Sequence, residues 1–154
     1  MVSVFRINTV EQVFEESVWE SQGNRNALIL YQKSRFSLTQ NTVTCMAEAL
    51  QKEGYSVVAN HPRHDLQYEI QDYDLVILCS PLYGGTVSQP LLDYASSHDF
   101  SGRKVVVVIT GKDLSTDAEI RMVTEVVSGT DDVNGLKTDR ADCPPLQKYL
   151  GIMT

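Results

Sequence analysis

The chain has 154 residues, of which 13 are basic and 20 acidic, and its formal net charge at pH 7 is −7. A hydrophobic content of 42% without an apolar run of membrane-spanning length excludes transmembrane, fibrous and disordered proteins. We expect residues 1–154 to form a single globular domain, because this length is common for one core. The sequence pI of about 4.8 predicts a surface that repels phosphate backbones and acidic membrane leaflets, so nucleic acid and membranes are not expected partners.

The three cysteines, Cys45, Cys79 and Cys143, are widely spaced. An odd number at this spacing fits neither a disulfide framework nor a paired zinc site, so we interpret them as reduced thiols of a cytoplasmic protein. Cys79 ends an apolar run and Cys45 falls on a predicted helix, so both are expected to pack as small apolar residues. Residues 1–6 lack the features of a signal peptide, which also favours the cytoplasm.

Three continuous apolar runs predict strands, at residues 27–31, 75–79 and 105–109. A shorter run of the same type covers residues 55–59. The runs are rich in β-branched residues or leucine and do not alternate with polar residues. This pattern is typical of a parallel sheet whose strands are covered on both faces.

Helices are predicted between these runs. The apolar residues of segment 42–53 share one helix face: Val43, Met46, Ala47 and Leu50. Segment 117–128 carries a similar stripe and starts with a capping box formed by Thr116 and Glu119. Segment 90–97 is a shorter candidate with a proline in its first turn. The alternation of strands and helices predicts an α/β fold.

The two ends of the chain differ in apolar content. Residues 2–7 predict a strand, and a capping box of Thr9 and Gln12 predicts a helix after it. The apolar side chains of that helix would face inward: Val10, Val13, Phe14 and Val18. Residues 131–142 hold no apolar run that suits a central strand, and a helical turn is predicted at 146–150.

The loops that follow the strands are the candidate ligand sites, because ligands of open parallel sheets bind beyond the carboxyl ends of the strands. Residues 32–42 are rich in hydroxyl groups and lead into a helix. Such a loop can bind phosphate through free N–H groups, or Thr39 or Asn41 can simply cap the helix. The next loop places Tyr83 beside two glycines, which suits either stacking on a flat ligand or a plain turn. The third loop, at 110–115, is polar, and only its position after a predicted strand makes it a candidate ligand site.

Taken together, the three loops resemble those of the flavodoxin family. The sequence LILY at 28–31, followed by SLTQNT at 37–42, is similar to that family's first strand and its S-x-T-G-N-T phosphate loop. The sequence YDLVILCSPLYGG at 73–85 resembles the flavin-contacting strand and loop, and SGRKVVVV at 101–108 resembles the next strand. The resemblance extends over about residues 27–115, and the order and spacing of its motifs make it specific.

This resemblance implies an open parallel sheet of order 2-1-3-4-5, with helices on both faces, and a bound FMN. The phosphate loop would contribute six residues: Ser37, Leu38, Thr39, Gln40, Asn41 and Thr42. The isoalloxazine ring would contact residues from the two other loops: Pro81, Leu82, Tyr83, Gly84, Gly85, Thr110 and Gly111. The chemistry would belong to the flavin, so neither a catalytic residue nor a metal ligand is predicted.

Two departures from the family's pattern qualify this interpretation, and one pair of histidines is a separate candidate metal signal. Gln40 stands where the family usually has glycine, and the loop before Ser37 carries extra residues, so that Lys33 or Arg35 can reach the phosphate instead. His61 and His64 flank a proline, and we expect both to be solvated rather than to bind a metal.

The weak C-terminal part of the sequence suggests an alternative strand connection. The family's last strand and helix should follow residue 129, where apolar residues are few, whereas residues 2–18 are more core-like. A crossover from an N-terminal strand to the first central strand keeps the right-handed connection. We therefore also consider a circularly permuted arrangement, in which the N-terminal strand and helix replace the C-terminal pair and residues 2–7 lie beside residues 105–109.

The resulting hypothesis is a small FMN-binding, flavodoxin-like protein that passes electrons to a redox partner or to a small acceptor such as a quinone. The chain has no room for a nicotinamide domain, so an electron carrier is favoured over an NAD(P)H-dependent FMN or quinone reductase. The acidic surface predicts a basic-surfaced partner, and Phe36 and Tyr83 suit either partner docking or a homodimer. The alternative is a flavodoxin fold with a degenerate flavin site, which serves as an interaction or regulatory module.

Overall fold

The computed structural model describes residues 4–111, 117–139 and 143–146. Strands and helices alternate along them. The strands are β1 (Ser17–Trp19), β2 (Arg25–Tyr31), β3 (Tyr55–Asn60), β4 (Leu75–Pro81), β5 (Lys104–Thr110) and β6 (Val133–Thr138). The helices are α1 (Val4–Ile7), α2 (Leu38–Lys52), α3 (Gln89–Ser97) and α4 (Ala118–Thr124), with a short 3-10 turn at Ile70–Asp72.

The six strands form one sheet in the order β1-β3-β2-β4-β5-β6. Strand β1 is antiparallel to β3, and the other five strands are parallel. Without the edge strand β1, the parallel strands have the order 2-1-3-4-5, which confirms the predicted topology. The strand order reverses between β2 and β4, so a crevice is expected beyond their carboxyl ends.

The apolar runs of the sequence form the interior of this sheet. The segments 27–31, 75–79 and 105–109 are buried throughout, which confirms the predicted central strands. Helix α2 covers one face with its predicted stripe: Val43, Met46, Ala47 and Leu50. Helices α3 and α4 cover the other face with Leu91, Tyr94, Ala95 and Val123. Within the part of the chain described, no helix is long and apolar enough to cross a membrane.

The N-terminal prediction is wrong. Val4–Ile7 is a helical turn rather than a strand, and the described residues 10–18 contain no helix. Thr9 instead ends α1, because its backbone N–H and its hydroxyl both donate to the Arg6 carbonyl, at 3.0 and 2.9 Å. Four apolar side chains were predicted to face inward, and three of them are exposed: Val10, Val13 and Val18.

The circularly permuted arrangement is also wrong. Strand β6, not the N-terminal segment, pairs with β5, in register from Val105 with Val133 to Thr110 with Thr138. All six residues of β6 are only half-buried, as suits an edge strand that is paired on one side. Such a strand needs no continuous apolar run, which explains why the sequence pattern did not reveal it.

Two of the cysteines form a disulfide, which corrects their interpretation as reduced thiols. Cys45 of α2 is bonded to Cys143, with their Cα atoms 5.2 Å apart and a sequence separation of 98. The bond ties segment 143–146 to α2, and Leu146 is buried in the same core cluster. Cys79 is free and fully buried, as predicted. Because disulfides persist mainly in oxidising compartments, the cysteines no longer support a cytoplasmic location.

Candidate functional site

A pocket of about 460 Å³ lies beyond the carboxyl ends of β2, β4 and β5. This volume is within the usual range for small-molecule sites. Many of the predicted contact residues line it: Leu38, Pro81, Leu82, Tyr83, Gly84, Gly85, Thr110 and Gly111. The lining also includes residues that were not predicted as contacts: Ser34, Phe36 and Glu119. The pocket is therefore built by the three loops that the sequence analysis selected, together with the start of α4.

The loop after β4 forms a tight turn at the edge of the pocket. The backbone groups of Tyr83 and Thr86 hydrogen-bond to each other in both directions, at 3.1 and 3.0 Å. Gly84 and Gly85 lie between them with φ angles of 59° and 74°. Two successive positive φ angles define a turn that other residues rarely adopt, so both glycines are needed for its shape.

Asn8 holds this turn from the N-terminal side. Its side-chain amide donates to the Pro81 carbonyl at 2.9 Å and to the Thr86 carbonyl at 2.8 Å. Its own carbonyl accepts from the backbone N–H of Gln89 at 2.7 Å. Asn8 is fully buried, and its side-chain oxygen has no partner among the described residues. The segment that the sequence predicted as a strand thus serves to fix the loop after β4.

Gln32 connects the same N-terminal segment to the other loops. Its side chain is fully buried, and its amide donates to the carbonyls of Ile7 and Val10 at 2.6 and 3.0 Å. Its side-chain oxygen accepts from the Ser88 hydroxyl at 2.5 Å. Ser88 is the N-cap of α3 and accepts from the Leu91 N–H at 3.2 Å. These contacts join the loop after β2, the N-terminal segment and the start of α3.

The N-terminus of α2 borders the pocket. Ser37 is the N-cap residue, and its exposed side chain makes no capping hydrogen bond. The backbone N–H groups of Phe36, Ser37 and Leu38 have no hydrogen-bond partner among the described residues. Free N–H groups at the positive end of a helix dipole attract anions such as phosphate. Capping by Thr39 or Asn41, the other reading of this loop, does not occur.

Gln40 folds back over the extra residues of the loop. Its side-chain oxygen accepts from the Ser34 backbone N–H at 3.1 Å, and its side-chain amide donates to the Ser34 carbonyl at 3.2 Å. The Ser34 hydroxyl in turn accepts from the Thr39 N–H at 3.2 Å. Gln40 lies in the first turn of α2, and no residue other than glycine has a positive φ in the described chain. The absence of the family's glycine therefore causes no backbone conflict here.

The remaining predicted phosphate contacts, Thr39, Asn41 and Thr42, are not among the residues that line the pocket. Thr39 is fully buried, and its hydroxyl shares a hydrogen bond of 2.7 Å with the hydroxyl of Thr110. The Thr42 hydroxyl donates to the Leu38 carbonyl at 2.8 Å, within its own helix. Asn41 is exposed, and its backbone N–H donates to Ser37 at 2.8 Å. Thr39 and Thr42 thus hydrogen-bond to two residues of the pocket lining, Thr110 and Leu38.

Tyr83 and the loop after β2 meet at the mouth of the pocket. The Tyr83 hydroxyl accepts from the backbone N–H of Arg35 at 2.7 Å. The Arg35 guanidinium lies 5.5 Å from the centre of the Phe36 ring, and Phe36 is 76% exposed. The Lys33 ammonium lies instead over the ring of Phe14, at 4.2 Å. Of the two cations in this loop, Arg35 is therefore the one beside the pocket residue Phe36.

The two histidines differ in environment. His61 is fully buried: Nε2 accepts from the Gln12 N–H at 3.0 Å, and Nδ1 lies 3.3 Å from the Tyr31 carbonyl. Its predicted solvation is wrong, and burial lowers its pKa to about 4. The side chain of His64 is 85% exposed, as predicted, and its hydrogen bond to Glu11 raises its pKa. No group of three or more acidic, histidine or cysteine side chains suited to a metal occurs in the described residues.

Comparisons with known proteins establish the fold. No family model and no curated protein sequence matches the chain. Flavodoxin 1 from Bacillus cereus is similar at 16% identity over 82% of this chain and 92% of that one, with a TM-score of 0.53. The flavodoxin of Fusobacterium nucleatum bound to flavin mononucleotide is similar at 21% identity over 75% and 77%, with a TM-score of 0.53. Rubredoxin oxygen:oxidoreductase from Desulfovibrio gigas is similar at 17% identity over 84% and 33%, with a TM-score of 0.60. Together with the strand order of the sheet, these similarities show that the chain has the flavodoxin-like fold.

Proposed function

We propose that the chain binds FMN in the pocket beyond β2, β4 and β5 and acts as a small electron carrier. The observation that carries this proposal is the position of the α2 N-terminus. Phe36 and Leu38 line the pocket, and their backbone N–H groups are free of partners in the described chain. An anion-binding helix end and a pocket for a flat ring are thus contiguous, which is what a phosphorylated aromatic cofactor requires.

The residues at the α2 end fit the phosphate group. The N–H groups of residues 36–38 and the exposed hydroxyl of Ser37 supply donors. The helix dipole favours the negative charge there, so no cation is required for binding. Arg35 can add a long-range attraction to the phosphate from the mouth of the pocket.

The residues at the other side of the pocket fit the isoalloxazine ring. Pro81, Leu82 and the Tyr83 ring present apolar surface, and Thr110 contributes a hydroxyl-bearing side chain. Gly111 lets the loop after β5 approach Leu82 of the loop after β4 closely, because a Cβ atom at residue 111 would lie 3.2 Å from Leu82 Cβ. Bound FMN would supply the electron-transfer chemistry, while these side chains hold the ring and exclude water from it.

The partner and the acceptor are part of the proposal. A net charge of −7 favours a basic-surfaced redox partner, and a small acceptor such as a quinone is the other candidate. The exposed Phe36 at the pocket mouth offers apolar surface for such a contact.

One observation favours the alternative of a degenerate site. The Gln40 side chain hydrogen-bonds to the backbone N–H and carbonyl of Ser34, and the Thr39 hydroxyl is hydrogen-bonded to that of Thr110. These contacts employ groups that the resemblance assigns to phosphate. A protein whose loop is closed in this way would act as an interaction or regulatory module with the same fold.

Binding of FMN to the purified protein tests the two functions. We expect quenching of flavin fluorescence with a Kd of about 1 μM or below, and binding of riboflavin about tenfold weaker because it lacks the phosphate. Tyr83→Leu should weaken FMN binding, whereas the control Tyr68→Leu, at a tyrosine outside the pocket, should leave it unchanged. A protein that shows no FMN binding at about 1 mM would overturn the carrier function and leave the alternative. NADH alone should not bleach the bound flavin of a carrier.

A further inference from the structure

A buried ion pair lies at one wall of the pocket. Glu119 of α4 lines the pocket, and its Oε2 atom lies 2.6 Å from the Lys137 ammonium of β6. The two side chains are 8% and 6% exposed. The sequence pattern predicts only a capping role for Glu119, and Lys137 lies in β6, a strand that carries no apolar run.

The topology places this pair opposite the α2 N-terminus. The sheet order puts β2 and its loop on one side of β4 and β5, and β6 on the other side. Helix α4 packs against β6, where Ile120 contacts Gly135. A ligand whose anionic group lies at α2 would therefore extend toward Glu119.

The burial of this pair is not explained by stability. Burying two charges costs desolvation free energy that their attraction barely offsets, so an apolar pair would stabilise the fold as well. The other ion pairs of the described residues each have at least one partner more than a quarter exposed: Arg63 with Asp65, His64 with Glu11, and Lys104 with Asp132. Buried charges act strongly on a neighbouring ligand because little water screens them.

We propose that the Glu119–Lys137 pair sets the reduction potential of the flavin, an inference that rests on the FMN binding proposed above. Reduction of FMN by two electrons from an external reductant, with one proton from solvent, adds one negative charge to the ring. The Glu119 carboxylate at the pocket wall opposes that charge, and the Lys137 ammonium behind it compensates. The pair therefore controls how much more tightly the pocket binds one oxidation state than the other.

The test measures the potential of bound FMN by dithionite titration against a reference dye. Lys137→Gln removes a positive charge beside the carboxylate, so the potential of bound FMN should become more negative, and Glu119→Gln should make it less negative. We expect each to change the ratio of the affinities for oxidised and reduced FMN about tenfold, which is about 30 mV for two electrons. Opposite shifts from two neighbouring substitutions are not produced by structural disturbance alone.

A matched control removes a lysine of the neighbouring strand. Lys104 of β5 pairs with Asp132, just before β6, at 2.7 Å and at the end of the sheet away from the pocket. Lys104→Gln changes the net charge as Lys137→Gln does. Because Lys104 lies away from the pocket, this variant should leave the potential of bound FMN unchanged. If either single variant fails to fold, the reversed pair Glu119→Lys with Lys137→Glu keeps a buried ion pair and should raise the potential.

The outcomes separate this inference from the proposed function. A wild-type protein that binds no FMN overturns both. A protein that binds FMN while the single or reversed variants keep the wild-type potential overturns only the role of the ion pair. Shifts of equal sign in both single variants, or an equal shift in Lys104→Gln, also contradict it.

Discussion

The hydroxyl groups of Thr39 and Thr110 hydrogen-bond to each other at 2.7 Å in the interior of the protein. Thr39 belongs to the first turn of α2, and Thr110 is the last residue of β5. The bond therefore joins two of the loops that form the pocket. It also shows that one hydroxyl of the sequence motif holds two parts of the site together.

This pair predicts a measurable coupling. Thr39→Val and Thr110→Val keep the side-chain shape, and each should lower the free energy of unfolding by about 1–2 kcal/mol because one hydroxyl is left buried without its partner. The double variant should lose less than the sum of the two, by about 1 kcal/mol. Urea unfolding of the four proteins measures this cycle. Strictly additive losses would show that the two hydroxyl groups do not interact in solution.

The sequence predicted the centre of the sheet but not its margins, for a physical reason. Strands β2, β4 and β5 are covered on both faces, so each one is a continuous apolar run. Strand β6 is a half-exposed edge, and its residues carry no such pattern. The N-terminal segment is held by the side chains of Asn8 and Gln32, and single hydrogen-bonding residues leave no periodic signal.

The candidate site was predictable to a similar extent. Its loops follow from the rule that ligands bind beyond the carboxyl ends of parallel strands, and the glycine pair and Tyr83 do line the pocket. Hydroxyl groups are ambiguous, because threonine can contact a ligand or bond within the protein, as Thr39 does. Glu119 reaches the pocket only through the packing of α4 against β6, which a local motif cannot show.

Asn8 should be a positioning residue for the loop after β4. Asn8→Ala removes one of the two donors of each of the Pro81 and Thr86 carbonyls, which keep their bonds from the Ser80 hydroxyl and the Tyr83 N–H, so we expect a loss of about 1–2 kcal/mol in unfolding free energy. FMN affinity should fall about tenfold, because the turn proposed to contact the ring is less well fixed. Asn8→Asp should be worse, since a carboxylate oxygen replaces the donor facing two carbonyls.

The neighbouring residue provides the control for this prediction. Thr9 is exposed, and its hydroxyl donates to the Arg6 carbonyl rather than to the loop. Thr9→Ala should therefore leave FMN affinity unchanged. Equal affinities for the Asn8 and Thr9 variants would contradict the positioning role.

The disulfide between Cys45 and Cys143 should stabilise the protein. It closes a loop of 98 residues, and loops of this size correspond to about 2–5 kcal/mol of stabilisation. Thermal unfolding with and without a phosphine reductant should show a lower Tm for the reduced protein, whereas Cys45→Ser should show no dependence on reductant. The denatured, unreduced protein should expose one free thiol, that of Cys79. Three free thiols would refute the bond.

His61 should make the fold sensitive to acid. Its pKa is about 4 in the folded state, below its ordinary value of 6.5, because the ring is buried and stays neutral there. Stability is therefore complete above about pH 6.5 and falls progressively toward pH 4, as only the unfolded state takes up the proton, by about 3 kcal/mol in total. His61→Gln keeps an acceptor for the Gln12 N–H and should remove this dependence.

The exposed His64 distinguishes this effect from general acid denaturation. Its pair with Glu11 raises its pKa, so its contribution to stability is present below its ordinary pKa and lost as pH rises, the reverse of His61. His64→Gln should consequently retain the full acid-induced loss, or show a slightly larger one. Urea unfolding at pH 7 and at about pH 4.5 compares the three proteins, since the second value lies between the two pKa values of His61. An acid-induced loss in His61→Gln as large as in the wild type would mean that another group is responsible.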